Sequence, residues 1–471
     1  MTKKEIKQLS EKLLARPKLV WDRLSAQERR DCFTMAESYK DFLSKAKTER
    51  QAVAEIITMA NEKGFKNIDL CSEGKRFYKV AQNKTIALAV LGEKPPQQGL
   101  ALIASHIDCP RLDLKQNPLY EEVELAMFKT HYYGGIKKYQ WVTRPLAIHG
   151  RIIKGDGQAI DIRLGEDIYD PVFVVCDLLP HLARKVQADK KMSEAIPGEK
   201  LNILAGGIPF EDEDTKERFK LELLRVLNER YGLVEEDLIS AELEVVPAGP
   251  AKDVGWDRSF VGAYGQDDRA CAFHSLQAIL EMDTPTRTVM AHFADKEEIG
   301  SAGATGADSL FLENFTAELI QITSPRTPHL DVLRCLSRSR ALSADVNAGL
   351  DPDYQEVHEK RNAARIGYGI CLSKFGGSGG KYDSSDADVD YLGWLRLMFN
   401  KHDVAWQAGE LGKVDEGGGG TVAKHMAKYG MDIIDCGPPL LSMHSPFEIA
   451  HKGDLYMTYR AFKTFFSSDW D

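Results

Sequence analysis

Apolar and polar positions follow two rhythms along this chain, and the changes between them divide it into three parts. Over the first 65 or so residues the apolar positions recur at helical spacing, with Phe42, Leu43, Val53, Ile56, Ile57 and Met59 on a common stripe that closes on Gly64, a residue suited to a helix C-cap. Short apolar runs then predict buried strands in "TIALAVLG" and "GLALIASHID". From about 113 to 250 the pattern changes to aromatic and β-branched clusters ("HYYGGIKKYQWV", "AIHGRII", "DPVFVV") separated by acidic stretches such as "FEDEDTKERF", which predicts a largely β segment with some helix. Beyond about residue 252 strand and helix patterns alternate again. "RACAFHSLQAILEMD" reads as a helix, "TVMAHFAD" and "AELIQITSP" as strands, and "TVAKHMAKYG" as a helix ending on Gly430. The alternation predicts an α/β fold, a central mixed sheet flanked by helices and built from residues 1–112 and 251–471, with residues 113–250 inserted as a β-rich domain. In such sheets ligands bind at the carboxyl ends of strands.

Composition narrows the partners. A chain of 471 residues with a net charge of -10 does not suit nucleic acid or an anionic membrane as its main partner. No apolar run approaches the roughly 18 residues of a spanning helix, and the charged N-terminus "MTKKEIKQLSEKLL" has no apolar signal core. Eight scattered cysteines without a CxxC pair point to reduced thiols in a cytoplasmic protein, with neither a disulfide framework nor a cysteine zinc knuckle. No repeat of 20–50 residues is present.

Candidate chemistry lies where apolar runs stop. "ALIASHIDCP" offers His106 and Asp108 on one strand face, so that His106 could ligate a metal while Asp108 accepts its second ring N–H. "GAYGQDDRACAF" places Asp267 and Asp268 before a helix, where capping alone would account for them. "ADKEEIGS" pairs Glu297 with Glu298, "ALSADVNAG" offers Asp345, and "LLSMHSPFEIAH" offers His444 and His451. Each has an ordinary explanation: a loop acid, an Asx-turn, a core histidine. Together, five strand-end sites bearing His, Asp, Glu, Asp and His suit two divalent ions such as zinc, with one carboxylate between them.

In order, "SHIDCPRLDLK", "YGGIKKYQW", "GQDD", "ADKEEIGS", "SADVNAGLDPDY" and "MHSPFEIA" resemble the aspartyl aminopeptidase and vacuolar aminopeptidase I family of dinuclear zinc exopeptidases, from about residue 35 to the C-terminus. The resemblance implies a zinc-exopeptidase-type catalytic domain split by an inserted dimerisation domain. It implies that His106, Asp267 and Asp345 hold one Zn²⁺ and that Asp267, Glu298 and His444 hold the other, with Co²⁺ or Mn²⁺ as possible substitutes. Glu297 would be the general base and Asp108 would orient His106. Lys374 in "CLSKFGG" and Tyr382 in "GGKYD" match substrate-contact positions. His181 is retained in "PHLARK", and Lys185 stands where the family places a histidine that reaches the neighbouring subunit's active site. The family's two histidines in the Asp345 motif fall on Ala348 and Asp351, which separates the inherited chemistry from any inherited acidic specificity. Peptide substrates and a tetrahedral dodecamer built from dimers complete the expectation, with no nucleic acid or membrane partner.

Three other readings compete. The glycine-rich stretches "FGGSGGKYDSSDAD" and "DEGGGGTVAKH" suggest a phosphate loop. That motif fails, because Phe375 takes the first glycine position and Tyr382 follows Lys381; both stretches read as flexible loops near the substrate or at a subunit contact. A catalytically silent oligomeric scaffold would not need every ligand and the base in place. A dinuclear-metal N-deacylase would keep the site and change the bond.

Overall fold

The computed structural model describes residues 1–470 apart from 325 and 327. Four helices, Lys3–Leu13, Val20–Arg23, Ala26–Lys45 and Glu49–Glu62, open the chain. Three of them start on a capping box, with Thr2, Ser25 and Thr48 accepting from the backbone three residues on.

The central mixed sheet has nine strands. Their spatial order is Lys66–Asn67, Arg76–Ala81, Thr85–Val90, Val289–Ala294, Ala101–His106, Arg340–Ser343, Asp432–Gly437, Ile370–Ser373 and Trp406–Ala408. The inner strands run parallel, pairing Ala294 with His106, Ala104 with Ser343, and Ser343 with Asp435, so their carboxyl ends converge at one edge. Period-two alternation sorts their side chains. Ile103, Ala291 and Leu342 face the helices Ala26–Lys45, Gln266–Leu280 and Lys452–Ser467, whereas Leu102, Met290 and Ala341 face Phe311–Thr323 and His329–Ser337.

One expected strand is a helix. The described part of "AELIQITSP" lies in Phe311–Thr323, because Leu312, Phe315, Leu319 and Ile320 are buried at helical intervals; Pro325 lies outside the described residues. A short apolar run does not distinguish a strand from a buried helix face, and the preceding "FLENF" continues the helical period.

A second, seven-stranded antiparallel sheet is made wholly of strands lying between Arg111 and Pro247. The helix Arg218–Tyr231 packs on it over a separate apolar core. Its first strand, Arg111–Glu122, begins five residues past His106, and its next, Leu125–Tyr133, returns to the same place, pairing Tyr133 with Arg111. A five-stranded sheet pairs Phe260–Ala263 with Glu448–His451 and brings Glu448 beside Ala263. No helix among the described residues is long and apolar enough to cross a membrane.

Candidate metal centre

His106 ends its strand with its imidazole buried. Its Nδ1 lies 3.1 Å from the Asp108 carbonyl and 3.3 Å from the Asp108 carboxylate. Nε2 is left facing Asp267 at 3.3 Å, with Asp345 and Glu297 each at 3.9 Å. Asp267 and Asp268 enter the helix Gln266–Leu280 with non-helical backbone angles, so they form a bent lead-in rather than its first turn. The Asp267–Asp268 peptide is cis. The second carboxylate oxygen of Asp267 lies 3.2 Å from His444 Nε2, which is 3.4 Å from Glu298. The His444 Nδ1–H donates to the Gly135 carbonyl at 3.0 Å.

Ligand atoms of His106, Asp267 and Asp345 lie within 4.8 Å of one another, and so do those of Asp267, Glu298 and His444. The two triads share Asp267. Glu297 belongs to neither, though its carboxylate reaches toward His106. Both glutamates stand on a single 3₁₀ turn, Glu297–Ile299, entered through Lys296 at φ +66° and left through Gly300 at φ +97°. The turn's first two N–H groups donate to the two oxygens of Asp108 at 3.1 and 3.2 Å. Asp108 therefore holds the first imidazole and the acidic turn together.

Burial works against charge throughout this cluster. It pushes Glu297 up to about 7, with Asp108 and Asp267 reinforcing it against the pull of His106. It also drives Glu298 and Asp345 well above the carboxylate range, and neighbouring Asp267 adds to both shifts. Burial disfavours the cationic form of His444, yet Asp267 and Glu298 outweigh it and raise the imidazole to about 10. Asp267 goes the other way: hydrogen bonds with His106 and His444 overcome its burial and hold it well below its ordinary value. Among the described residues these acids make ion-pair contacts with two histidines and with no lysine or arginine. Glu298 Oε1 is buried without a hydrogen-bond partner. Two imidazoles whose Nδ1 atoms are held by Asp108 and the Gly135 carbonyl and whose Nε2 atoms face Asp267, together with carboxylate oxygens, make the borderline donor set that zinc takes, and a divalent charge there would reverse the upward shifts of the acids. The residues fit the ion.

A cavity of about 430 Å³ opens from the triads; Asn347, Ser373, Phe375, Thr421, Lys424 and Asp435 form its far walls. Lys374 and Tyr382 are exposed and do not line it, although Phe375 and Gly376 between them do. Lys185 is exposed on the inserted segment. His451 stands apart from the cluster: it caps the helix Lys452–Ser467 and accepts from Trp21 Nε1 at 2.9 Å. Three contributors have no role in the sequence reading, although the motifs "MHSPFEIA" and "YGGIKKYQW" contain them. Glu448 accepts from the backbone N–H of Asp267 at 3.1 Å and of His444 at 2.7 Å, and its place in "MHSPFE" was the available signal. Tyr133 and Gly135 come from the inserted sheet, far from any ligand in sequence.

A family model described as aminopeptidase I zinc metalloprotease (M18) matches residues 42–466. A probable M18 family aminopeptidase 1 of Clostridium acetobutylicum is 47% identical over 463 residues, covering 97% of this chain and 99% of the relative. The crystal structure of an M18-family aminopeptidase from Thermotoga maritima superposes with a TM-score of 0.93 at 43% identity, over 96% of this chain and 99% of that one. That of aminopeptidase I from Clostridium acetobutylicum does so with a TM-score of 0.90 at 44% identity, over 97% and 100%.

Proposed function

Because the chain belongs to the aminopeptidase I zinc metalloprotease family (M18), we propose that it removes the N-terminal residue of peptides at a dinuclear zinc centre, with Glu297 as general base. The observation that carries this reading is the pair of triads sharing Asp267 with an unshared glutamate beside them. His106, Asp267 and Asp345 would hold one zinc, and Asp267, Glu298 and His444 the other. Zinc bound there supplies positive charge that polarises a peptide carbonyl and acidifies water.

The chain's own residues do the rest. Asp108 fixes the orientation of His106 and, through two backbone N–H groups, the direction of the glutamate pair. Glu297 keeps its lone pairs because it joins neither triad. Its carboxylate takes a proton from the attacking water and returns it to the departing amine. Glu448 holds the backbones of Asp267 and His444 at fixed separation. Lys374 and Tyr382 flank the glycine loop without lining the cavity, and the role of substrate contact is proposed for them on the family motif alone. Lys185 is assigned to the site of a neighbouring copy. Ile168, Tyr169, Leu179, Leu182 and Met192, all more than half exposed on loops and short helices of the inserted segment, support its use as a subunit contact in a homo-oligomer, for which a tetrahedral dodecamer is our proposal. Eight cysteines without a disulfide agree with a cytoplasmic setting.

The test is a panel of aminoacyl-anilides and N-acyl amino acids, assayed with zinc, cobalt and manganese. Release of the anilide with a free α-amino group required is the expected result. Cleavage confined to N-acyl amino acids would move the enzyme to the deacylases, and no turnover with zinc bound would leave a scaffold.

A further inference from the structure

The inserted sheet reaches the metal centre at the end of its strand Leu125–Tyr133 and the two glycines that follow. The Tyr133 hydroxyl donates to Asp108 Oδ2 at 2.8 Å, the same oxygen that receives the Glu298 N–H. Two residues on, the Gly135 carbonyl accepts from His444 Nδ1. Gly134, between them at φ +70°, lets the chain turn past Glu298, whose Cβ would lie 3.4 Å from any side chain placed there. One short segment therefore meets the support of one histidine and the ring of the other, and the two histidines reach the centre from opposite ends of the sequence.

We propose that Tyr133–Gly134–Gly135 is the positioning element of the metal centre: Tyr133 sets His106 and the glutamate turn through Asp108, and the Gly135 carbonyl sets His444. The inserted sheet then acts on the chemistry from within its own subunit, in addition to any role between subunits. The inference rests on the zinc aminopeptidase reading.

Three observations support Tyr133 as a positioning residue. Asp108 is fully buried, and the Tyr133 hydroxyl joins the Glu298 N–H on Oδ2 while the His106 ring and the Glu297 N–H meet Oδ1, so the phenol is one of four contacts that fix the carboxylate. The phenol is itself held: the Arg111 guanidinium lies 4.0 Å from its ring centroid, and Arg111 is the cross-strand partner of Tyr133. Arg111 is anchored in turn on Asp113 at 2.8 Å and Glu244 at 3.1 Å. Burial and the adjacent Asp108 keep the phenol protonated and able to donate. At Gly135 an added Cβ would stand 3.2 Å from His444 Nδ1, close enough that a methyl group would press the ring by a few tenths of an ångström away from the carbonyl that holds it.

The experiment compares Tyr133→Phe, Gly135→Ala and, as a control one residue away on an exposed ring, Tyr132→Phe. Each full-length protein is tested for zinc affinity by chelator competition, for its cobalt(II) visible spectrum, for kcat and KM on an aminoacyl-anilide, and for the unfolding midpoint of the chelator-treated protein. Expected for Tyr133→Phe is a loss of about 10–100-fold in zinc affinity or kcat, an altered cobalt spectrum, an unchanged KM and an unchanged metal-free midpoint. Gly135→Ala should weaken one zinc site and spare the other, and Tyr132→Phe should match the parent. Parent-like zinc affinity, spectrum and kcat in Tyr133→Phe would overturn the proposal, as would a lowered metal-free midpoint with zinc affinity and kcat intact. A parent protein that neither binds zinc nor cleaves the anilide would instead overturn the aminopeptidase reading on which the proposal stands.

Discussion

Two acidic clusters, each built round buried carboxylates, lie on either side of Tyr133, and they are balanced in different ways. In the first, Glu49, Asp113, Glu242 and Glu244 surround Arg111 and Lys84. Arg111 lies 3.5 Å from Glu49, Lys84 lies 3.2 Å from Glu49, and Lys84 also pairs with Glu242. In the second, Asp108, Asp267, Asp345, Glu297 and Glu298 make ion-pair contacts, among the described residues, with His106 and His444 alone. The consequence shows in two glutamates of similar burial. Burial of Glu49 is overcome by Arg111 and Lys84, which hold it down to about 2, whereas burial raises Glu297 to about 7. An acid cluster that carries its own arginine and lysine is complete and ties helix Glu49–Glu62 to the inserted sheet. One offered only imidazoles is completed by a cation from outside. The contrast separates a structural charge network from a metal centre more reliably than a count of acids does.

The comparison breaks most severely at the shared ligand. Asp267→Ala should remove a donor from both triads; elemental analysis is expected to find little zinc and assays no turnover, and a protein that keeps two zinc ions would refute the shared role. Next comes the unshared acid. Glu297→Gln should lower kcat by about 10²–10⁴ with zinc content unchanged, because it removes a proton acceptor and no ligand. In the other cluster the readout changes. Lys84→Met leaves the buried Glu49 with Arg111 alone, while Glu242 keeps Arg50, and should cost about 1–3 kcal/mol in denaturant unfolding with zinc content at the parent level.

The smallest effect concerns pH. Glu297 is raised in the folded, metal-free protein, so folding there binds protons, and that stability is lost as pH rises from about 4.5 toward 7. His444 is raised to about 10, so its contribution is complete below about 6.5 and fades above it, in the same direction. Chelator-treated protein should therefore unfold more easily at pH 8 than at pH 5.5, and added zinc should raise the unfolding midpoint more at pH 8. An equal increment at both pH values would contradict the charge imbalance of the second cluster.

How much was legible in sequence follows the range of the forces involved. Strands such as Thr85–Val90 and Val289–Ala294 announce themselves because a strand buried on both faces needs an unbroken apolar run. The helix Phe311–Thr323 was partly misread for the same reason, since "AELIQI" is apolar enough for either. His106, Asp267, Glu298, Asp345 and His444 could be named together because strand ends in an α/β sheet must converge, and the ordered motifs carried a family resemblance. Lys374, Tyr382 and Lys185 could be named by motif, but motif does not say which way a loop turns its side chains.

What the chain determined by itself is local and periodic: the helical stripes, the buried strands, the residue types able to bind a divalent ion, and an acidic pair followed by glycine. Those depend on neighbours within a few residues. Only the tertiary structure decided that Glu297 and Glu298 share a turn whose N–H groups rest on Asp108, that Asp267 stands between two imidazoles, and that Tyr133 meets Asp108 while Gly135 meets His444. The physical reason is that a hydrogen bond or a charge acts over a few ångströms of space, whatever the distance along the chain, and here the inserted sheet closes a sequence gap of 309 residues between Gly135 and His444.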